Sequence, residues 1–199
     1  LEDCADDAVD VATALGVDRF VAIGYSMGGP VAQLIWKRHP ERLDGLVLCA
    51  TAPIFNVERI ERLGFFGGSA LAALARITPL NARLWLTDQI YINRKSQEWD
   101  PWAIREASSH DWRMLLEAGT AIGAFDSTPW IGDVDVPVAI IVTLRDPVVS
   151  RRRQTMLFEA LPDAYVARID GDHGAVVDSK EQFVPALMRS LSSIEAHQT

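Results

Sequence analysis

A serine stands between two glycines near the start of the sequence, in Gly24-Tyr25-Ser26-Met27-Gly28. The segment has the spacing G-x-S-x-G, and it follows a predicted strand and precedes a predicted helix. A serine in so sharp a turn has a strained backbone and an exposed hydroxyl, which suits nucleophilic attack. Because Gly24 and Gly28 lack side chains, we expect them to let the strand and the helix approach closely. The sequence therefore predicts Ser26 as a nucleophile.

A serine hydroxyl is a weak nucleophile at neutral pH and needs a base, which in turn needs an acid to orient it. Among the four histidines, His173 lies in a tight loop directly after the last predicted strand. A parallel sheet would place that loop at the same end as Ser26. The other three lie at a helix end, in the middle region and in the C-terminal tail: His39, His110 and His197. We predict His173 as the base, and the alternative is a solvent-exposed loop histidine.

Asp146 is the best candidate for the acid, since it follows the predicted strand 138–142 in a turn that Pro147 makes rigid. Asp172 adjoins His173 but would point elsewhere in most backbone geometries. Three further aspartates precede that strand, at its opposite end: Asp126, Asp133 and Asp135. Asp146 would fix the imidazole tautomer and stabilise the imidazolium as it forms. The alternative is an aspartate that only forms the turn.

The helix predicted after Ser26 also offers a hydrogen-bond donor to a developing oxyanion, the backbone N–H of Met27. A competing interpretation is a glycine-rich turn that binds phosphate. The spacing matches neither G-x-G-x-x-G nor G-x-x-x-x-G-K-[ST], which argues against that interpretation. We expect neither a cofactor nor a metal ion.

The elements that must position these residues follow from hydrophobic periodicity. Short apolar runs predict strands, and 3.6-residue periodicity predicts helices. The predicted strands are 19–23, 45–50, 138–142 and 165–169, and the predicted helices are 1–15, 27–39, 150–161 and 181–194. Ser150 is a candidate N-cap and Gly16 a candidate helix stop. On the first helix, one face is apolar: Ala5, Ala8, Val9, Ala12 and Leu15. This alternation predicts an α/β fold, a parallel sheet with helices on both faces.

Residues 52–130 differ in character and contain five of the six tryptophans, which predicts an inserted helical cap. The chain would then comprise core residues 1–51 with the serine turn, the cap 52–130, and core residues 131–199 with the acid and histidine loops. The tryptophans either pack the cap on the core or line an apolar substrate pocket. The aromatic candidates for substrate contact are Tyr25, Phe55, Trp85 and Trp102.

Composition excludes several other classes of protein. The net charge of −8 gives no basic footprint for nucleic acid or for an anionic membrane. No run of about 18 apolar residues predicts a membrane span, and the acidic start LEDCADD does not look like a signal peptide. The two cysteines, Cys4 and Cys49, imply no disulfide framework, so a cytoplasmic location is expected. Because the first residue is Leu1, we expect a truncated chain.

These features together resemble the α/β-hydrolase superfamily over nearly the whole chain: GYSMGG as the nucleophile elbow, TLRDPVV as the acid turn, GDHG as the histidine loop, and helices inserted after the next strand. Proteins with this elbow are similar to lipases and esterases, cofactor-free haloperoxidase-like enzymes and carbon–carbon bond hydrolases. A serine at the elbow argues against epoxide hydrolases and haloalkane dehalogenases, which have an aspartate there. The resemblance implies a serine hydrolase that acts through an acyl-enzyme on a small apolar ester or related acyl substrate.

The sequence departs from the family at one place. Members of the family have further strands at the start of the sheet, and the loop after the third of these strands carries the second oxyanion donor. Neither the strands nor the loop has a counterpart here, so the strand that ends at Gly24 would become a sheet edge without a neighbouring strand. We expect that a missing N-terminal segment or a partner chain covers this edge, and that the chain alone is weakly active or inactive.

Two other functions remain open at this point. The same three residues would serve an acyltransferase or a haloperoxidase-like enzyme, in which another acceptor replaces water. The fold would also serve a non-catalytic module that binds a ligand in the pocket.

Overall fold

The computed structural model describes residues 1–56, 73, 76–79, 81–82 and 112–197. The chain divides into two compact units, Leu1–Phe55 with Phe125–Thr199, and Asn56–Ala124. The first unit contains the strands described below, and the second contains helix α3, Trp112–Ala124. The predicted role of residues 52–130 as a cap, with those boundaries, stays a prediction.

The first unit alternates strands and helices along the chain. Its elements, in the described residues, are α1 (Glu2–Ala14), β1 (Phe20–Tyr25), α2 (Gly28–Arg38), β2 (Leu43–Cys49), β3 (Val138–Thr143), α4 (Arg151–Ala160), β4 (Tyr165–Ile169), α5 (Ala175–Asp178) and α6 (Lys180–Ala196). Short 3-10 turns at Pro40–Arg42 and Ile131–Asp133 precede β2 and β3. Each predicted strand is present, and its ends differ from the prediction by at most two residues.

The four strands form one parallel sheet in the order β1-β2-β3-β4. Every residue of β3 is buried, because β3 is a central strand covered on both faces. Parallel strands need crossover connections, and α2 and α4 lie in those between β1 and β2 and between β3 and β4. The predicted α/β fold with a parallel sheet is therefore confirmed.

Alternate residues of the strands point to opposite faces of the sheet. On one face, Val47 and Ile141 pack with Phe183 and Ile194 of α6 in the main core cluster. On the other face lie fully buried residues such as Leu48 of β2, where α2 contacts β1 and β2, and α4 contacts β3. Full burial of each such side chain is worth about 1.5–3 kcal/mol, so these two layers hold the sheet in place.

Of two local predictions at helix ends, one was confirmed and one was wrong. Ser150 occupies the N-cap of α4 as predicted, although its side chain makes no cap hydrogen bond. Ala5 and Val9 are buried on α1, whereas Leu15 is 74% exposed. The helix ends at Ala14, and Gly16 turns the chain with φ of 72°, so Leu15 no longer lies on the apolar face.

The strand β1 pairs only with β2 among the described residues, which leaves one of its sides unpaired there. Ile23 of β1 is 49% exposed, an unusual state for a large aliphatic side chain in a parallel sheet. The strand that leads to Ser26 therefore has one unpaired side and an exposed apolar side chain among the described residues.

None of the helices in the described ranges is long and apolar enough to cross a membrane.

The turn between β1 and α2 depends on a close approach at Gly24. A Cβ at this position would overlap the backbone carbonyl oxygen of Gly28, which cannot move independently of the turn. The expectation for Gly28 itself was wrong, since a Cβ there meets no atom of the described residues within 4 Å. Close packing instead occurs at Gly29, where a Cβ would collide with the Thr51 side chain.

We expect Gly24→Ala to lower the free energy of unfolding by about 1–3 kcal/mol, because the overlap with Gly28 forces the main chain to shift. Gly28→Ala is the matched control, and its unfolding free energy should stay within about 0.5 kcal/mol of the wild type. Urea denaturation followed by circular dichroism measures both. Equal midpoints for the two variants would contradict this account of the turn.

Candidate active site

The backbone of Ser26 is strained and is held from both sides. Its φ is 52°, in the left-handed region that residues other than glycine seldom adopt. The Ser26 N–H donates to the Cys49 carbonyl at 3.0 Å, which joins the turn to the end of β2. Its carbonyl accepts hydrogen bonds from the Thr51 hydroxyl at 2.8 Å and from the Gly29 N–H at 3.0 Å. These bonds fix the direction in which the serine side chain leaves the turn.

The imidazole of His173 bridges Ser26 and Asp146. Its Nε2 lies 2.8 Å from Ser26 Oγ, and its Nδ1 lies 2.7 Å from Asp146 Oδ2. An ionised carboxylate only accepts hydrogen bonds, so this geometry assigns the ring proton to Nδ1 and leaves Nε2 free to accept from the Ser26 hydroxyl. The structure thus brings together the three residues singled out by the sequence.

Asp146 is buried, and its carboxylate is fully engaged in hydrogen bonds. Its side chain is 0% exposed, a state that is costly for a charged group without partners. Oδ1 accepts from the N–H groups of Val148 and Val149 at 2.8 and 2.9 Å. Oδ2 accepts from His173 and also from the hydroxyl of Thr143 at 2.8 Å. The acid is therefore held rigidly against the imidazole.

The three residues meet because each follows the carboxyl end of a parallel strand: Ser26 follows β1, Asp146 follows β3 and His173 follows β4. The other candidate histidines and aspartates in the described residues have partners elsewhere: His39 with Asp6, His197 with the Ser193 carbonyl, Asp172 with the Gly174 N–H, Asp126 with Thr128 and Asp135 with Trp36. Asp133 lies in the 3-10 turn before β3. His110 lies outside the described residues.

Tyr25 connects the serine turn to the histidine loop. Its hydroxyl donates to the backbone carbonyl of His173 at 2.7 Å, and its ring meets Phe183 edge-on at 5.7 Å. Burial raises the pKa of Tyr25 to about 12, so the hydroxyl keeps its proton and remains a donor. The hydroxyl is thus already engaged within the protein, and the predicted contact of Tyr25 with substrate stays a prediction.

Met27 occupies the N-cap position of α2. The N–H groups at the start of a helix have no intrahelical acceptor, and the helix dipole favours negative charge there. The role of the Met27 N–H as an oxyanion donor stays a prediction.

Cys49, whose carbonyl binds Ser26, carries a buried thiol, and burial raises the pKa of this thiol to about 12. This thiol therefore remains protonated and is a poor nucleophile.

The other residues predicted to contact substrate are Phe55, Trp85 and Trp102. Phe55 is 5% exposed in the first unit, while Trp85 and Trp102 lie outside the described residues. Their roles stay predictions.

Sequence reasoning missed the two threonines that support the site, Thr51 and Thr143. Each follows or ends a buried strand, but a threonine at that position has no spacing signal that marks it as a hydrogen-bond donor to Ser26 or Asp146.

The arrangement is suited to proton transfer at a nucleophile. A serine hydroxyl 2.8 Å from an unprotonated imidazole nitrogen can lose its proton to that nitrogen while its oxygen attacks an electrophilic carbon. A buried carboxylate on the far side of the ring stabilises the positive charge that the ring then acquires.

The chain is similar in sequence and in fold to several known proteins. A protein of Agrobacterium fabrum named "Putative carbamate hydrolase RutD" is 27% identical, over 94% of this chain and 72% of its own length. A bromoperoxidase from Bacillus anthracis superposes with a TM-score of 0.76 at 19% identity, over 94% of this chain and 72% of its own. An esterase from Thermogutta terrifontis superposes with a TM-score of 0.73 at 18% identity, over 96% and 71%.

The family model of the alpha/beta hydrolase fold matches residues 1–180, which include β1 to β4 and all three residues of the candidate site. The resemblance inferred from the serine turn, the acid turn and the histidine loop is thereby confirmed. The chain belongs to the α/β hydrolase fold family of enzymes.

Proposed function

We propose that this protein is a serine hydrolase that cleaves a carboxylic ester or a related acyl substrate through an acyl-enzyme. The observation that carries the proposal is the continuous hydrogen-bonded series from Ser26 Oγ to His173 and on to Asp146, with distances of 2.8 and 2.7 Å. A serine paired with a base that is itself oriented by a buried acid is the arrangement that nucleophilic acyl transfer requires.

In the first half of the reaction, Ser26 Oγ attacks the carbonyl carbon and its proton moves to Nε2 of His173. The carbonyl oxygen becomes an oxyanion, and the Met27 N–H at the start of α2 donates a hydrogen bond to it. Asp146 stabilises the imidazolium. The imidazolium then gives its proton to the leaving alcohol as the carbon–oxygen bond breaks, which leaves the acyl group on Ser26.

In the second half, water attacks the acyl carbon and loses a proton to Nε2 of His173. A second oxyanion forms at the same place and collapses, the carboxylic acid departs, and Ser26 recovers its proton from the imidazolium. The histidine thus acts as base and acid in turn. This requires Nδ1 to keep its proton throughout, and the bond to Asp146 supplies that condition.

For the substrate, we propose a small ester with an apolar acyl or aromatic group, because the sequence places most of its tryptophans between the two core segments. The name of the Agrobacterium relative adds carbamates as a second candidate. A carbamate presents the same acyl carbon with a nitrogen beside it, so the same residues would serve both substrates. Esters and carbamates with the same leaving group, assayed side by side, separate the two candidates.

Acyl transfer is the closest alternative on the same residues. If an alcohol replaced water in the second half, the product would be a new ester rather than an acid. Product analysis in the presence of a competing alcohol distinguishes the two outcomes.

We expect a fluorophosphonate probe to label the protein at Ser26, because the oxygen of an activated serine attacks the probe's phosphorus, displaces fluoride and forms a phosphonate ester. Ser26→Ala should abolish the labelling and lower kcat for a p-nitrophenyl ester by about 10⁴-fold or more. Ser150→Ala is the matched control, since Ser150 makes no cap hydrogen bond and lies at the start of α4. It should retain both labelling and turnover.

Labelling that persists in Ser26→Ala would refute the assignment of the nucleophile. A protein that turns over no acyl substrate and takes up no probe, yet binds an ester or its product, would instead be a ligand-binding module on this fold.

We further propose that a segment beyond the described residues, either an N-terminal extension or a partner chain, covers the open side of β1. The support is the single neighbour of β1 among the described residues and the 49% exposure of Ile23. An uncovered apolar edge favours association with other chains. If that segment also supplies a second oxyanion donor, its absence would lower kcat by about 10²–10³-fold.

From this we expect residues 1–199 alone to self-associate, and Ile23→Lys to reduce the association, because a lysine beside an open edge opposes strand pairing. Val184→Lys is the matched control, as Val184 is 52% exposed but lies on helix α6 rather than on a strand. Sedimentation velocity measures the association. Equal behaviour of both variants would count against the proposal.

A further inference from the structure

We propose that Thr143 is a positioning residue for the reaction: its hydroxyl, held in place by Gln154, fixes Asp146 and moderates the negative charge that Asp146 presents to His173. The proposal rests on the proposed function, in which Asp146 supports the imidazolium. It concerns the hydrogen bonds that connect Gln154 and Thr143 to Asp146. In the mechanism proposed above, neither Thr143 nor Gln154 contacts the substrate.

The Thr143 hydroxyl binds the same carboxylate oxygen that the imidazole binds. Thr143 is the last residue of β3, and its side chain is completely buried. Its Oγ1 lies 2.8 Å from Asp146 Oδ2, and that oxygen lies 2.7 Å from His173 Nδ1. Both donors therefore draw on one oxygen atom, so the strength of one bond depends on the other.

The side chain of Gln154 binds the backbone of Thr143. It projects from α4 with 1% exposure, and its amide pairs with the Thr143 backbone as a neighbouring strand would. Its Oε1 accepts from the Thr143 N–H at 3.0 Å, and its Nε2 donates to the Thr143 carbonyl at 3.2 Å. The same Nε2 lies 2.7 Å from the Val149 carbonyl. One buried amide thus joins both ends of the acid turn.

The number of hydrogens on each group decides which group donates and which accepts in this network. The Thr143 hydroxyl has one hydrogen and two nearby acceptors, Asp146 Oδ2 at 2.8 Å and Gln154 Oε1 at 3.3 Å. The charged and closer acceptor takes it. Gln154 Nε2 has two hydrogens: one is donated to the Val149 carbonyl, and the other is shared between the Thr143 hydroxyl oxygen at 3.0 Å and the Thr143 carbonyl oxygen at 3.2 Å. The resulting series runs from Gln154 through Thr143 to Asp146, and each bond polarises the next.

This series has an electrostatic consequence for His173. A hydrogen bond from Thr143 withdraws part of the carboxylate charge that would otherwise favour the imidazolium. Without this hydrogen bond, Asp146 would stabilise the imidazolium of His173 more strongly. The ring would then stay protonated, and unable to act as a base, up to a higher pH. The hydroxyl also restrains Oδ2, so its loss loosens the orientation of the ring.

The test uses Thr143→Val, which keeps the shape of the side chain and the backbone pairing with Gln154 but removes the hydroxyl. We expect the acid limb of the kcat/KM profile for a p-nitrophenyl ester to move to higher pH by roughly 0.5 unit. On the plateau we expect kcat to fall roughly three- to tenfold with KM unchanged, the effect of about one hydrogen bond. Thr143→Ser restores the hydroxyl and should recover both values.

The matched control is Thr155→Val, which removes the hydroxyl that donates to the Arg151 carbonyl within α4, away from the triad. It should leave the profile unchanged. Three results would overturn the proposal: a wild-type profile in Thr143→Val, a loss of kcat at every pH with no movement of the acid limb, or failure of Thr143→Ser to restore the wild type.

A second measurement separates this proposal from the proposed function. NMR of the His173 ring follows its protonation in the resting protein and needs no turnover. If the wild type hydrolyses no acyl substrate, the proposed function fails, but the ring should still protonate at higher pH in Thr143→Val and return to the wild-type value in Thr143→Ser. An unchanged ring titration would overturn the role of Thr143 whatever the activity.

Discussion

The strained backbone of Ser26 is the constraint on which the rest of the site depends. A left-handed conformation in a residue other than glycine costs about 1–3 kcal/mol and persists only where the surroundings enforce it. Here the enforcement comes from hydrogen bonds to Cys49, Thr51 and Gly29, and from the absence of a side chain at Gly24. The result is a serine hydroxyl placed beyond the end of β1 and aimed at the histidine loop.

The second requirement is a buried charge that is fully satisfied. Asp146 is held at 0% side-chain exposure by two backbone N–H groups, a threonine hydroxyl and an imidazole. Such a carboxylate has little freedom to rotate or to find other partners, so its orientation defines that of His173. The geometry of the candidate site is thus a consequence of buried polar groups that have to find hydrogen-bond partners within the protein.

The serine turn and the histidine loop are also linked twice, through neighbouring residues. Ser26 meets the imidazole, and the adjacent Tyr25 donates to the backbone carbonyl of the same histidine. Because the Tyr25 ring also packs on Phe183 of α6, the loop is tied to the core as well as to Ser26. The Oγ–Nε2 distance therefore depends on packing as much as on the loop's own sequence.

The sequence by itself determined the family, the parallel sheet and the identity of the three meeting residues. Apolar runs bounded by turns are local signals, and β4 was predicted to the residue as Tyr165–Ile169. The G-x-S-x-G spacing is equally local, and the parallel order of strands then restricts His173 and Asp146 to the same sheet end. Where the local signal was weak, at Leu15, the prediction was wrong.

Only the tertiary structure decided which side chains support those residues. Tyr25 and His173 are separated by 148 positions, and Gln154 meets Thr143 from the helix that follows its strand. No periodicity predicts such partners, because a hydrogen bond between distant segments depends on side-chain directions that are set when the layers pack. The same holds for the glycines, where packing requires Gly24 and Gly29 to lack side chains but leaves room at Gly28. The sequence determined which groups meet at the candidate site, and packing decided how firmly they are held, since distances that are right to a few tenths of an ångström arise only in the folded core.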